Sequence, residues 1–172
     1  MYYKLKITSI ENPDFLRVIE LDAQSSFADL HWMIQGCCLF ASDQLASFFV
    51  AGDNYGKQTE ITFLDYGING AQTLIMGKTK LRDILSESGQ RLLYVFDFFN
   101  DRSFYIELTE ICMEKNLQDN KVTYKNGDAP AQVLEEELQD QGLQFLNEEE
   151  IHQDYGDLDD YTEIFGEMED LI

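Results

Sequence analysis

Residues 91–98 read Arg-Leu-Leu-Tyr-Val-Phe-Asp-Phe, an alternation in which both faces are apolar. Leu92, Tyr94, Phe96 and Phe98 point one way, and Leu93 and Val95 point the other. A strand with two apolar faces belongs in the middle of a sheet, with neighbours on each side and cover above and below. The remainder of the chain therefore has to supply flanking strands and a covering layer. Asp97 is the odd member of this run. A buried carboxylate costs several kcal/mol unless it is paired, so Asp97 is expected to have a partner or to lie at the end of the sheet.

The flanking strands are legible. Tyr3, Leu5 and Ile7 alternate with Lys4, Lys6 and Thr8, the turn Asn12-Pro13-Asp14 follows, and residues 15–21 return with Leu16, Val18 and Glu20 on one face. Ser26 and Asp29 form a capping-box start, and Phe27, Leu30, Ile34 and Cys37 or Cys38 recur at helical spacing, which predicts a helix over 27–38. Strand, strand, helix is a β-grasp-like opening. Residues 45–51 read as a strand ending in the turn 52–56. Residues 57–78 hold only short apolar pieces, 61–64 and 73–76. Thr79 is placed to cap a short helix over Leu81, Ile84 and Leu85 that Gly89 closes. After a turn at 99–102, a partner strand runs over 103–113, and 121–125 adds another. Asp128 and Pro130 are expected to start a helix containing Val133, Leu134 and Leu138 and ending at Gly142.

Charge limits what the chain can bind. Of its 172 residues, 33 are acidic and 12 basic, for a net charge of -21. Such a field repels a phosphate backbone and an anionic bilayer, so neither a nucleic acid nor a membrane is expected as a partner. The asymmetry is concentrated at the C-terminus, because Lys125 is the last basic residue and residues 126–172 carry 16 acidic side chains. Within that segment Ile151, Leu158, Ile164 and Phe165 belong to an apolar stripe with a spacing of three or four residues. Burying such a side chain is worth roughly 1.5 to 3 kcal/mol. Repulsion between two exposed charges is usually under about 1 kcal/mol, so the stripe is expected to dock on the domain or on a second subunit. The first seven residues enter a strand pattern rather than a signal peptide. Three cysteines, two of them adjacent, suggest free thiols in a reducing compartment, so the expected location is the cytoplasm.

No motif for catalysis is intact. Gly77-Lys78-Thr79 lacks the upstream glycine of a phosphate loop, because position 72 is Gln72. His31 and His152 are far apart, there is no Cys-x-x-Cys pair, and Asp157, Asp159 and Asp160 lack the glycine and final Glu of a calcium loop. No catalytic, cofactor-binding or metal-binding residue is assigned, and no cofactor is expected. His31 lies on or beside the apolar face of the first helix, where a hydrogen-bonded border residue is the plainest reading.

Several stretches in order resemble a known family: Tyr3-Lys4-Leu5-Lys6-Ile7; Pro13-x-Phe15-Leu16-Arg17-x-Ile19; Leu30-His31-x-x-Ile34-Gln35; Leu45-x-x-Phe48; and Tyr94-Val95-Phe96-Asp97-Phe98 leading to Ile106-x-Leu108. Together they are similar to the plasmid ORF-three-like family, named after a Ri-plasmid open reading frame and also described as a transposon passenger. The resemblance spans about residues 2–110. It implies an α+β domain without an established activity, with Arg17, His31, Gln35 and Asp97 as the matching polar positions. The chain departs from the family after Asp97, where Gly-Asp, Trp and His give way to Phe99-Asn100, Arg102 and Phe104. A turn at 99–102 would set Asp97 opposite Phe104, the family's His position.

The sequence thus predicts an α+β core domain over 1–126 with a largely antiparallel sheet and two or three packed helices. An acidic helical C-terminal extension over 127–172 follows. The leading expectation for function is a non-catalytic interaction or accessory protein with an unknown protein partner, a basic one among the candidates. The alternatives are an acidic decoy for a basic DNA-binding protein of a mobile element, and a metal-assisted hydrolase-type enzyme.

Overall fold

The computed structural model describes residues 1–67, 73–113 and 117–136. It divides into two compact units, Met1–Gln132 and Val133–Ile172. Ile151, Leu158, Ile164 and Phe165, and also Leu138 and Gly142, lie outside the described residues.

The first unit is built on one eight-stranded sheet. In chain order its elements are β1 (Tyr2–Ser9), β2 (Leu16–Asp22), α1 (Phe27–Cys38), β3 (Ser47–Ala51), β4 (Lys57–Thr62), β5 (Leu74–Ile75), α2 (Leu81–Ile84), β6 (Arg91–Asp97), β7 (Arg102–Cys112) and β8 (Lys121–Asn126). Across the sheet the order is β5-β4-β3-β6-β7-β1-β2-β8. Neighbours are antiparallel except β4 and β5, which pair in parallel through Ile61–Leu74 and Thr62–Ile75. The architecture is therefore sheet-rich α+β, with two helices among the described residues. β6 is interior, as its two apolar faces require, and residues 92–97 are buried.

One face of the sheet carries the core. Leu5 pairs with Ile19 and Leu108, Ile7 with Ile106, and Tyr94 with Phe48 and Phe104, so register lines these side chains up on one side. On β2 the inward set is Arg17, Ile19 and Leu21; Leu16 and Val18 take the opposite, half-buried side. α1 covers the core with Phe27, Leu30 and Ile34. Its start is the expected capping box: the Asp29 N–H donates to Ser26 Oγ at 3.2 Å, and the Ser26 N–H donates to Asp29 Oδ2 at 2.7 Å. Its end is an αL cap at Leu39, with the Phe40 N–H donating to the Gln35 carbonyl at 3.0 Å.

Three expectations are corrected. The short helix α2 is capped at Lys80, whose N–H donates to Asp83 Oδ2 at 3.1 Å; buried Thr79 instead gives its carbonyl to the Phe27 N–H. Asp128 and Pro130 open no helix, because residues 128–134 are non-helical and helix begins only at 135. Here Gly127, at φ +65°, lies so close to Asp14 that a Cβ would approach the Asp14 carbonyl oxygen to 2.5 Å, and tertiary contact sets the path. The turn after β6 sets Asp97 opposite Arg102, not Phe104. A bulge between Val95 and Asp97 shifts the register, and Phe104 pairs with Tyr94.

Candidate functional site

The four family-matched polar residues are all buried, which is unusual for such side chains and demands partners. They fall into three separate places.

His31 and Gln35, one helical turn apart on α1, share a partner on β6. Gln35 Nε2 donates to Tyr94 Oη at 3.0 Å, and Tyr94 Oη lies 2.9 Å from His31 Nδ1. Because the phenol already accepts from Gln35, its own proton is best satisfied by donation to Nδ1, which places the imidazole proton on Nε2. Gln35 Oε1 is buried and has no hydrogen-bond partner. Aromatic rings enclose the imidazole, with Trp32, Phe63 and Tyr94 centroids at 4.6, 5.2 and 5.8 Å. Burial lowers the His31 pKa to about 4 and raises that of Tyr94. Both are therefore neutral at physiological pH. A neutral, enclosed imidazole bonded to a phenol is suited to holding a helix against a sheet.

Arg17 points inward from β2 and is consumed by carbonyls. Its Nε donates to Cys37 O at 3.3 Å, and one terminal nitrogen donates to Leu16 O at 2.9 Å and to Asn126 O at 2.7 Å. Its guanidinium carbon lies 4.4 Å from the Phe15 ring centroid. It thereby ties the end of α1 to β2 and β8. The adjacent thiols of Cys37 and Cys38 are 4.0 Å apart.

Asp97 sits at the end of β6 in a charged clasp. One terminal nitrogen of Arg102 lies 3.5 Å from Asp97 Oδ2, while Arg102 Nε and its other terminal nitrogen donate to Glu11 at 2.9 and 2.8 Å. The same guanidinium donates to the Ala131 and Gln132 carbonyls at 2.6 and 3.3 Å. Asp97 also accepts from the Asn100 backbone and side-chain amides, at 3.0 and 2.9 Å. Desolvation alone would raise the Asp97 pKa, but the bonds from Asn100 and Arg102 together outweigh it and hold the carboxyl below its usual value. On Arg102 burial works downward, and the Glu11 and Asp97 carboxylates overcome it, so the guanidinium is held charged. Contacts run from Tyr94 to Phe104, to Phe96, to Arg102, so two aromatic rings intervene between the neutral knot and the clasp. The structure does not gather Arg17, His31, Gln35 and Asp97 into one cleft.

A scan against family models matches the plasmid pRiA4b ORF-3-like protein over residues 1–168. The chain belongs to this family. A crystal structure of a protein of unknown function from Methanosarcina mazei Go1 is similar, with 22% identity, a TM-score of 0.58, and coverage of 72% of this chain and 68% of that one. At that identity the likeness shows the fold alone. No curated protein matches the chain.

Tyr94, Arg102 and Glu11 are polar partners that the sequence pattern did not single out. A signal was available for the first two: a buried tyrosine needs a partner for its hydroxyl, and a carboxylate at a strand end is most simply answered by an arginine across the turn. Glu11 carried no such signal. Among the described residues no helix is long and apolar enough to cross a membrane, and no group of three or more His, Cys, Asp or Glu side chains is arranged to hold a metal.

Proposed function

We propose that this member of the plasmid ORF-3-like family is a non-catalytic interaction or accessory protein that engages a protein partner through the edge formed by Trp32 and Phe63. The observation that carries the proposal is the exposed indole. Trp32 keeps 46% of its surface on the flank of α1 and stands edge-on to Phe63, with centroids 5.5 Å apart and an interplanar angle of 88°. Leu64 and Tyr66, in the chain that leaves β4, are 48% and 55% exposed. A tryptophan braced by a ring and left open to solvent is the residue type that anchors protein interfaces. His31, Gln35 and Asp97 support the same reading, because each is bound into the fold. The free thiols of Cys37, Cys38 and Cys112 are consistent with the cytoplasm.

The test is affinity capture from the native host with three baits: wild type, Trp32→Ser and His31→Gln. The expected outcome is a partner retained by wild type and His31→Gln and lost by Trp32→Ser. The same proteins on all three baits would refute the proposal. The net charge of -21 favours a second reading, an acidic decoy for a basic DNA-binding protein. That reading requires capture that survives Trp32→Ser and disappears at high salt.

A further inference from the structure

We propose that the cleft at the start of β6 binds a small zwitterion of the α-amino acid type, with Arg91 gripping the carboxylate and Glu87 and Asp53 receiving the ammonium. The motivating observation is a stranded donor. Arg91 Nε is buried and has no hydrogen-bond partner, and the one other side-chain atom so placed among the described residues, Gln35 Oε1, belongs to the neutral knot under α1. A buried donor left unpaired is costly and calls for an acceptor. Arg91 borders a cleft of about 260 Å³ at the end of β6 opposite the clasp, and an oxyanion seated there supplies that acceptor.

Two tied loops form the cleft. One is the β3–β4 turn, where the Gly52 N–H donates to the Gly56 carbonyl at 3.2 Å and the Tyr55 N–H to the Gly52 carbonyl at 2.9 Å. The other leads into β6. Its Gln90 Oε1 accepts from the Ser86 and Glu87 N–H groups at 2.5 and 2.8 Å, and the Gly89 N–H donates to the Leu108 carbonyl at 2.7 Å. Gly89 sits at φ +90°, and a Cβ there would meet nothing within 4 Å, so this wall is bare. Arg91 is held between the loops: one terminal nitrogen donates to the Asp53 carbonyl, and the guanidinium carbon lies 5.3 Å from the Tyr55 ring centroid. That leaves the edge made by Nε and the second terminal nitrogen, the fork that matches a carboxylate in two-point contact.

The lining decides the ligand class. Ala51 is its one apolar side chain, so an aromatic ring or a lipid tail would gain little by entering. The volume falls below the roughly 300 Å³ at which sites for drug-sized ligands begin, which suits a molecule of amino-acid size. Charge narrows the class further. A simple anion would face Arg91 but also the Asp53 and Glu87 carboxylates, and a simple cation would face Arg91. A molecule that carries both charges answers both signs. Asp53 Oδ1 is 4.0 Å from Arg91, beyond hydrogen-bonding distance, so it does not close the fork. Asp53 and Glu87 are both exposed and free to turn toward an ammonium. Ser88 Oγ donates to the Thr109 carbonyl at 2.9 Å and keeps lone pairs to accept from the same group.

The experiment titrates isotope-labelled full-length protein with L-alanine, acetate or ethylammonium at constant ionic strength. It follows by NMR the amide signals of Gly52, Gly89 and Arg91 and the Arg91 Nε–H signal. The expected result is one saturable set of shifts with L-alanine, roughly tenfold weaker binding of acetate, and no response to ethylammonium. Arg91→Lys keeps the charge but loses the fork and should weaken L-alanine by about tenfold or more. The Asp53→Asn/Glu87→Gln double variant changes only exposed side chains, so it gives an answer even where an Arg91 change disturbs folding. In it L-alanine should bind no better than acetate. No saturable shift with L-alanine, equal affinity of wild type for acetate and L-alanine, or unchanged L-alanine affinity in the double variant or in a folded Arg91→Lys would each overturn the proposal.

Discussion

The knot under α1 and the clasp at the end of β6 are both buried and polar, yet they are stabilised in opposite ways. His31, Tyr94 and Gln35 are neutral and joined by two hydrogen bonds, and the rings around them exclude water. Asp97, Arg102 and Glu11 are ions whose desolvation is offset by opposite charge and by carbonyls of the chain crossing above. Neutral groups lose little on burial once bonded, whereas ions lose several kcal/mol each and recover it only in full company. Losing one partner should therefore hurt the clasp more than the knot.

Arg102→Met is the strongest way to break that contrast. It strands the buried Asp97 carboxylate and frees the Ala131 and Gln132 carbonyls. Removing one partner of a buried ion pair usually costs about 3 to 5 kcal/mol, and that loss is expected in urea unfolding of the full chain. A loss under about 1 kcal/mol would mean that the clasp behaves as a surface pair.

Acid separates the two regions next. His31 has a folded pKa of about 4 against an ordinary value near 6.5, so between these pH values the unfolded chain binds a proton that the folded chain refuses. Stability then falls as pH falls through that window, by about 3 kcal/mol at most over its full width. Asp97 is also held low, so its contribution is present above the ordinary carboxylate value of 3.8 and is lost as pH falls below it. His31→Gln should flatten the stability profile between about pH 6.5 and 4 and leave the decline below it. Arg102→Met should do the reverse. If His31→Gln leaves the upper slope unchanged, the imidazole does not carry it.

Tyr94→Phe tests the knot alone. It keeps the ring against Phe48 and Phe104 and removes the hydroxyl shared by His31 and Gln35. Leaving buried polar atoms without a partner costs about 1 to 3 kcal/mol, so the midpoint of urea unfolding should drop by less than in Arg102→Met. A larger drop than Arg102→Met would reverse the ranking of the two regions.

The contrast also separates what was readable in the chain from what was not. β6, β1 and α1 were legible because their periodicities and the Ser26 cap are local signals. That Asp97 needs a partner was legible too, because a carboxylate in an apolar strand is costly. The identity of that partner was hidden by the turn, which closes over 98–101 rather than 99–102 and so sets Asp97 opposite Arg102, and neither it nor the bulge beside it leaves a mark in composition. β4 and β5 were illegible for another reason: β4 has buried residues only at Ile61 and Thr62, and β5 has two residues, so neither shows a period. Residues 127–132 misled because Pro130 resembles a helix start, while the close approach of Gly127 to Asp14 and the Arg102 bonds to the Ala131 and Gln132 carbonyls fix a non-helical path.

The smallest effect is expected at Glu11, and it decides where the clasp keeps its strength. Glu11 accepts two bonds from Arg102, but its side chain is 39% exposed where that of Asp97 is 7% exposed. Water can replace much of what Glu11 supplies, and salt screens the rest. Glu11→Gln keeps one acceptor oxygen facing the guanidinium and removes only the charge. The expected loss is under about 1 kcal/mol in urea unfolding and shrinks further at high salt. A loss matching Arg102→Met would show that the clasp is held from its exposed side, and Asp97 would then be a passenger of the turn that Asn100 already satisfies.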